Sequence, residues 1–312
     1  MPYISVVTPV YNAVNIVDEL HRRLVENLEK ITDDFEIIMV NDACPHGSGE
    51  KVAELARKDT RVKFIELARN FGQHIAISAG LDYAEGEYVV VMDCDLQDPP
   101  HKIGEMFEAL HDSGKEAIFA IRENRKDSFL KKTESDVFNA VMRLLTEKIY
   151  YGRKGTANFS IISKKVVLEY RKLREHRRCY SSVIQYCGFE PTYIPVEGDE
   201  RFEGKSAYTF IKSMRLAVSI LLQQSARPLF ISALFSCFCF FLAVIFGGQI
   251  IGDWVSGSEA DGGNTGLMFL LSLFGGMVFL ALSVISLYLA NIFEQAKGRP
   301  LYVIGRTLNI GE

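Results

Sequence analysis

As far as about residue 120, short apolar runs alternate with stretches whose apolar positions recur every three or four residues. The runs 3–9, 35–41, 62–67, 88–93 and 117–121 are rich in β-branched residues and predict five strands. Between them, 16–31, 49–58, 74–84 and 102–113 have the spacing of amphipathic helices. Strand–helix alternation of this kind predicts an α/β fold, a doubly wound, mostly parallel sheet with right-handed crossovers. Such sheets bind ligands outside the carboxyl ends of their strands.

Further along, the pattern changes. From Leu229 to Ile251 and from Leu267 to Phe293 there is no charged residue. At helical rise each run is roughly 35–40 Å long, enough to cross a hydrocarbon core of about 30 Å. Two membrane-spanning helices are expected. The stretch 208–227 mixes apolar residues with Lys212, Arg215 and glutamines, the pattern of a helix lying in the bilayer interface. A second amphipathic stretch, 129–145, could meet the membrane or another subunit.

Charge placement orients these segments. The linker between the spans, 252–266, holds Asp253, Glu259 and Asp261 but no Lys or Arg. Basic residues flank the spans on the other side: Lys212, Arg215 and Arg227 before, Lys297, Arg299 and Arg306 after. Basic loops stay inside, which predicts a multi-pass protein of the cytoplasmic membrane with both termini cytosolic. The expected organisation is a catalytic domain over 1–207, a juxtamembrane helix over 208–227, a hairpin over 228–293 and a cytosolic tail over 294–312.

Composition narrows the class. The 312 residues carry a net charge of -4, so nothing points to nucleic acid. Six cysteines are scattered with no C-x-x-C pair, which argues against a zinc site or disulfide framework. The start, M-P-Y-I-S-V-V-T-P-V, lacks the basic region and long apolar core of a signal peptide and reads as a first strand.

The most informative stretch is E-Y-V-V-V-M-D-C-D-L-Q-D-P-P, residues 87–100. An apolar strand ends abruptly in Asp93, Asp95 and Asp98, with Gln97 among them. Carboxylates crowded together repel unless a cation sits between them, and hard oxygen donors suit Mg²⁺ or Mn²⁺. The plainer alternative is an acidic loop that caps the next helix. Pro9, Tyr11 and Asn12 follow the first strand, Asp42 the second, and Arg69 and Asn70 the third. Four strand ends therefore converge on one crevice. It lacks G-x-G-x-x-G and the P-loop pattern, so a dehydrogenase or P-loop reading is weak.

V-V-T-P-V-Y-N near the start, V-N-D-A around residue 42, L-A-R-N-F-G-Q around residue 70 and D-C-D-L-Q-D-P-P together resemble family 2 glycosyltransferases of the GT-A type. With two C-terminal spans, the chain is similar to the polyprenyl-phosphate glycosyltransferases. The resemblance implies that Pro9, Tyr11, Asn12, Asp42, Arg69 and Asp93 hold the nucleotide. It implies that Asp93, Asp95 and Gln97 bind Mg²⁺ or Mn²⁺ at the donor diphosphate. In A-I-R-E-N-R, Arg122 and Arg125 match positions that take the acceptor phosphate, as do Arg201 and Ser206 in R-F-E-G-K-S-A-Y. Arg122, Arg125 and Asp95 are the implied catalytic residues. Without the resemblance, Arg122 and Arg125 also fit a solvated loop, and Arg201 an ion pair with Glu200 or Glu203. Ala13, Asn158 and Ala207 stand where the family pattern has Glu, Asp and Lys, which leaves the sugar open.

The implied reaction moves a hexose, UDP-glucose being the first donor considered, onto undecaprenyl or another polyprenyl phosphate. An ionised phosphate attacks without a general base, so the burden falls on positioning and on the leaving group. Inversion at the anomeric carbon is expected. Implied partners are the nucleotide sugar, the lipid phosphate, the bilayer, further copies of the chain and a flippase. The alternatives are transfer to a hydroxyl of a glycan or lipid-linked oligosaccharide, and a non-catalytic membrane adaptor.

Overall fold

The computed structural model describes residues 1–123, 156–176, 178–197, 227–256 and 263–311. The chain divides into two compact units, one built on a sheet and one on two long helices.

In the sheet unit, strands β1 (Ile4–Val10), β2 (Phe35–Asn41), β3 (Val62–Leu67) and β4 (Tyr88–Val91) alternate with α1 (Val17–Leu28), α2 (Ser48–Lys58), α3 (Gln73–Tyr83) and α4 (Lys102–Ser113). There follow β5 (Ala117–Glu123), β6 (Thr156–Ser163), α5 (Lys164–Lys172), α6 (Tyr180–Tyr186) and β7 (Thr192–Glu197). Every residue of β1 and β2 is buried. That burial is why these segments are largely apolar, with Ser5, Thr8, Glu36 and Asn41 as buried polar exceptions: both faces of a central strand are covered by helices. In α1 the buried residues are Val17, Leu20, Leu24 and Leu28, one stripe along the helix.

With a further strand, β8 (Ile304–Leu308), the order is β7-β5-β6-β4-β1-β2-β3-β8. β1 pairs in parallel with β2 on one side and β4 on the other, and β2 pairs in parallel with β3. The winding therefore reverses between β1 and β4, and such a switch opens a crevice at the carboxyl ends. The mostly parallel sheet expected from the sequence holds, with additions it did not show. β6 runs antiparallel between β4 and β5, and β5 pairs in parallel with β7. The start of β6 and the end of β5 consequently share the sheet edge where β4 ends.

Core residues form two clusters, one on each face of the sheet. One gathers side chains of α1, α2 and α4, the other those of α3, α5 and α6. α3 lies so close to the sheet that a Cβ at Gly80 would stand 3.1 Å from Val40 and nearer still to Val7.

Residues 304–308, within the stretch expected as a tail over 294–312, join the sheet. These residues form β8 (Ile304–Leu308), antiparallel to β3 at the sheet edge. Ala68 N–H donates to Val303 O at 2.8 Å, and Asn309 Nδ2 donates to the carbonyls of Ala56 and Val62. Arg306 pairs with Glu66 at 3.0 Å and Glu50 at 2.9 Å. Unpaired strand edges invite foreign pairing, and the chain covers this one with its own last strand.

The second unit contains α7 (Arg227–Ser256) and α8 (Gly263–Ala296), which pack on each other. The expected spans fall within these two helices. Among the described residues, Leu273–Ala296 is long and apolar enough to cross a membrane, with mean hydropathy 2.2. The interfacial helix 208–227 and the stretch 129–145 lie outside the described residues, apart from Arg227.

Candidate active site

The crevice is built by the loops after β1, β2, β3 and β4. After β4 the chain turns through Asp93, Cys94, Asp95, Leu96 and Gln97. Leu96 is buried and adopts φ 59°, a left-handed conformation that costs a branched side chain about 1–2 kcal/mol. The turn around it is fastened by its own carboxylates. Asp95 Oδ1 accepts from Gln97 N–H at 3.1 Å, and Asp98 Oδ2 accepts from Asp93 N–H at 3.2 Å.

This arrangement separates the three aspartates by role. Asp98 is only 2% exposed and braces the turn from inside. Asp93 and Asp95 are half-buried at the crevice. Asp93 Oδ1 accepts from Gln73 Nε2 at 2.6 Å and from Asn158 Nδ2 at 3.3 Å. Gln73 opens α3 and Asn158 lies near the start of β6, so two separate elements hold a carboxylate that follows a third, β4. Cys94, between the aspartates, packs against the core. Burial pushes its thiol up to about 12, and the charges of Asp93 and Asp95 push the same way.

Asp42 is buried just after β2, and both of its oxygens serve the loop after β3. Phe71 N–H donates to Oδ1 at 2.7 Å and Gly72 N–H donates to Oδ2 at 2.8 Å. Gly72 has φ 96°, which favours glycine, and it leads directly into Gln73. Asp42 thus shapes the start of α3. Arg69 is exposed and stacks over the Phe71 ring, 4.0 Å from its centroid. Asn12 has φ 54°, and its N–H donates to Cys44 Sγ at 3.3 Å, tying the β1 turn to the β2 turn. Tyr11 beside it is 45% exposed, while Pro9 is buried within β1.

Arg122 lies near the carboxyl end of β5, opposite Val196 of β7, on the same sheet edge as Asp93. Arg125, Arg201 and Ser206 lie outside the described residues. The sequence reading gave no role to Gln73 or to the inward turn of Asp98. The signal for Gln73 was its place directly after a glycine that opens a helix at the crevice.

Residues 5–173 match the model of a family described as glycosyl transferase family 2. The chain belongs to this family. It is 32% identical over 313 residues to the uncharacterized glycosyltransferase YkcC of Bacillus subtilis, covering 98% of this chain and 94% of that protein. It is 30% identical over 314 residues to the undecaprenyl-phosphate 4-deoxy-4-formamido-L-arabinose transferase of Edwardsiella ictaluri, covering 97% and 93%. Among solved structures, glucosyl-3-phosphoglycerate synthase from Mycobacterium tuberculosis, in complex with Mn²⁺, UDP and glucosyl-3-phosphoglycerate, superposes with a TM-score of 0.50. That likeness covers 72% of this chain and 80% of that one at 13% identity, and it concerns the fold. The protein is a glycosyltransferase with a GT-A type sheet.

Among the described residues, no group of three or more His, Cys, Asp or Glu side chains converges as a metal cage. A hard cation needs no such cage when one or two carboxylates hold it and a substrate diphosphate completes its shell. Asp93 and Asp95, with the amide of Gln97, are donors of that chemistry in that number.

Proposed function

We propose that this glycosyltransferase moves a hexose from a nucleotide-diphosphate sugar, UDP-glucose first, to the phosphate of undecaprenyl or a similar polyprenyl lipid. The observation that carries this reading is a combination within one chain. An oxygen-donor pair, Asp93 and Asp95, stands at the carboxyl edge of the sheet, and an apolar helix, Leu273–Ala296, follows it. Similarity to an undecaprenyl-phosphate transferase over 97% of this chain supports the same acceptor.

In this reading Asp93, Asp95 and Gln97 hold Mg²⁺ or Mn²⁺, consistent with the Mn²⁺ in the mycobacterial synthase complex. When bound, the cation supplies Lewis-acid stabilisation of charge on the departing diphosphate. The chain's own residues do the positioning. Gln73 and Asn158 orient the Asp93 carboxylate, and Asp42 sets the loop that presents Gln73. Pro9, Tyr11, Asn12 and Arg69 flank the nucleotide. Arg122, Arg125, Arg201 and Ser206 take the lipid phosphate, guanidinium groups doing so through forked hydrogen bonds. The attacking phosphate is already ionised, so no residue has to remove a proton. A hydroxyl acceptor would need a base, and the amide of Asn158 against Asp93 cannot act as one.

The same reading takes 229–251 and 267–293 as two spans with an outward acidic linker, and the basic residues that flank them support a cytoplasmic membrane face for this chemistry. Purified full-length protein, undecaprenyl phosphate, Mg²⁺ or Mn²⁺ and a panel of radiolabelled nucleotide sugars test the reading. One donor should label the lipid, and Asp95→Ala should lower transfer roughly 100–1000-fold, the scale of losing one charge-stabilising group. Undiminished transfer by Asp95→Ala, or no lipid labelling from any donor, overturns it.

A further inference from the structure

Asn41, Glu66 and Arg306 stand in one row across three neighbouring strands. Asn41 of β2 lies opposite Glu66 of β3, which in turn lies opposite Arg306 of β8. Residues opposed across paired strands share a face of the sheet. Here it is the face that α2 covers, since a Cβ at Gly49 would stand 2.6 Å from both Asn41 Nδ2 and Glu66 Oε1. Asn41 is the last residue of β2 and Glu66 the last but one of β3, so the row borders the crevice.

Each step along the row is a hydrogen bond. Arg306 Nε donates to Glu66 Oε2 at 3.0 Å, and Asn41 Nδ2 donates to Glu66 Oε1 at 2.9 Å. A carboxylate only accepts, so Glu66 decides which way the Asn41 amide faces. With its nitrogen committed to Glu66, Asn41 offers its oxygen to the β2 turn, and Oδ1 accepts from Cys44 N–H at 3.3 Å. Asn41 is fully buried, so a lost partner is not replaced by bulk water. The last contact crosses to the β1 turn, where Cys44 Sγ accepts from Asn12 N–H at 3.3 Å.

The two turns at the end of this chain need such support. Ala43 has φ 48° and Asn12 has φ 54°, and neither is glycine. A left-handed backbone is unfavourable for alanine and persists only where its surroundings impose it. Cys44 adjoins Ala43 and bonds Asn12, so the direction of the Asn41 amide bears on both.

We propose that Arg306 is a positioning residue for the nucleotide donor. It fixes Glu66, Glu66 fixes the Asn41 amide, and Asn41 with Cys44 sets the paired turns at Ala43 and Asn12. The inference rests on the reading that Tyr11 and Asn12 flank the nucleotide. Strand β8 thereby completes the donor side of the crevice as well as the sheet edge. Partly exposed ion pairs add little to stability, so this role separates from mere fastening of the strand. Adjacency alone does not establish such coupling; non-additive variants do.

The test uses purified full-length protein in detergent with Mn²⁺ and measures binding of UDP, GDP and ADP by calorimetry. Arg306→Met keeps an aliphatic stem over the Phe64 ring and loses the guanidinium. It should weaken binding of the nucleotide that the wild type takes about three- to tenfold, the scale for a change along a coupled network. The donor KM should rise by the same factor while kcat changes less than about twofold. Arg306→Lys, which keeps a cation beside Glu66, should recover part of the loss. Cys44→Ala removes the sulfur that holds Asn12, and on that background Arg306→Met should add less than about twofold. Glu66→Met removes both acceptor oxygens and gives the same reading where Arg306→Met fails to fold. Equal losses with and without the Cys44 sulfur overturn the proposal, as does unchanged nucleotide binding by folded Arg306→Met or Glu66→Met protein. A wild type that binds none of the three nucleotides overturns the donor reading and this proposal with it.

Discussion

Gln73 Nε2 donates to Asp93 Oδ1 at 2.6 Å, joining the first residue of α3 to the first carboxylate after β4. The two residues belong to elements on opposite sides of the crevice, and their bond sets the direction of the carboxylate. A side chain that orients a metal ligand typically changes metal affinity 10–100-fold when removed. Gln73→Leu keeps the volume and loses the amide. Its half-saturating Mn²⁺ or Mg²⁺ concentration should rise about tenfold or more, while the rate at saturating metal falls much less. Metal titrations of transfer activity check this; an unchanged half-saturation point would show that Asp93 needs no such support.

Asp42 holds two backbone N–H groups in place, those of Phe71 and Gly72. Hydrogen bonds to a charged group contribute about 1.5–3 kcal/mol each, and leaving buried donors unmatched adds to the loss. Asp42→Ala should therefore destabilise the sheet unit by roughly 2–4 kcal/mol and weaken donor binding through a displaced α3 start. Thermal unfolding and donor affinity, measured together, separate this bracing role from direct contact with the nucleotide. Weaker binding at unchanged stability would mean contact alone.

Asp59 gives the fold a defined acid limit. Burial raises its carboxyl, but hydrogen bonds from the Arg61 side chain and backbone and from His21 bring it from 3.8 to about 2. A folded-state value below the unfolded one means that this stabilisation, about 2 kcal/mol, is complete above roughly pH 4. It disappears as the pH falls toward 2. Asp59→Asn should flatten the loss of stability over that window and lower stability at pH 7 by a similar amount. Melting temperatures across pH 2.5 to 7 would show it.

Edge strand β8 contributes through its whole length more than through any single ion pair. Arg306 is partly exposed, so Arg306→Ala should cost roughly 0.5–1 kcal/mol. Deleting residues 303–312 removes the strand, bares the β3 edge and should lower the melting temperature by roughly 10 °C, with aggregation. Equal effects of the two changes would mean that the strand acts only through Arg306.

Parts of this molecule were plain in the sequence for physical reasons. The strands 35–41 and 62–67 and the helix 102–113 have the bounds that periodicity predicts. Central strands covered on both faces are mostly apolar, and α4 buries a single stripe. The acidic cluster was visible because β4 stops so sharply at Asp93. Other features depend on partners far away in the chain. Arg306 meets Glu66 across 240 positions, and no local pattern in Ile304–Leu308 names β3 as its partner. Asp98 resembles its acidic neighbours in sequence, and only the turn around Leu96 points it inward. Asp42, expected at the nucleotide, is also a loop brace because two N–H groups face it. The antiparallel insertion of β6 beside β4 likewise follows from long-range pairing.

Strand β8 also sets an order of events in biogenesis. A ribosome makes β3 early, whereas Ile304–Leu308 follows both long helices in chain order. The β3 border stays bare until those helices have been synthesised and residues 304–308 have left the exit tunnel. Completion of the enzyme's sheet thereby waits on synthesis of the helical unit, and a nascent chain stalled within α8 carries an open seam for chaperones to guard.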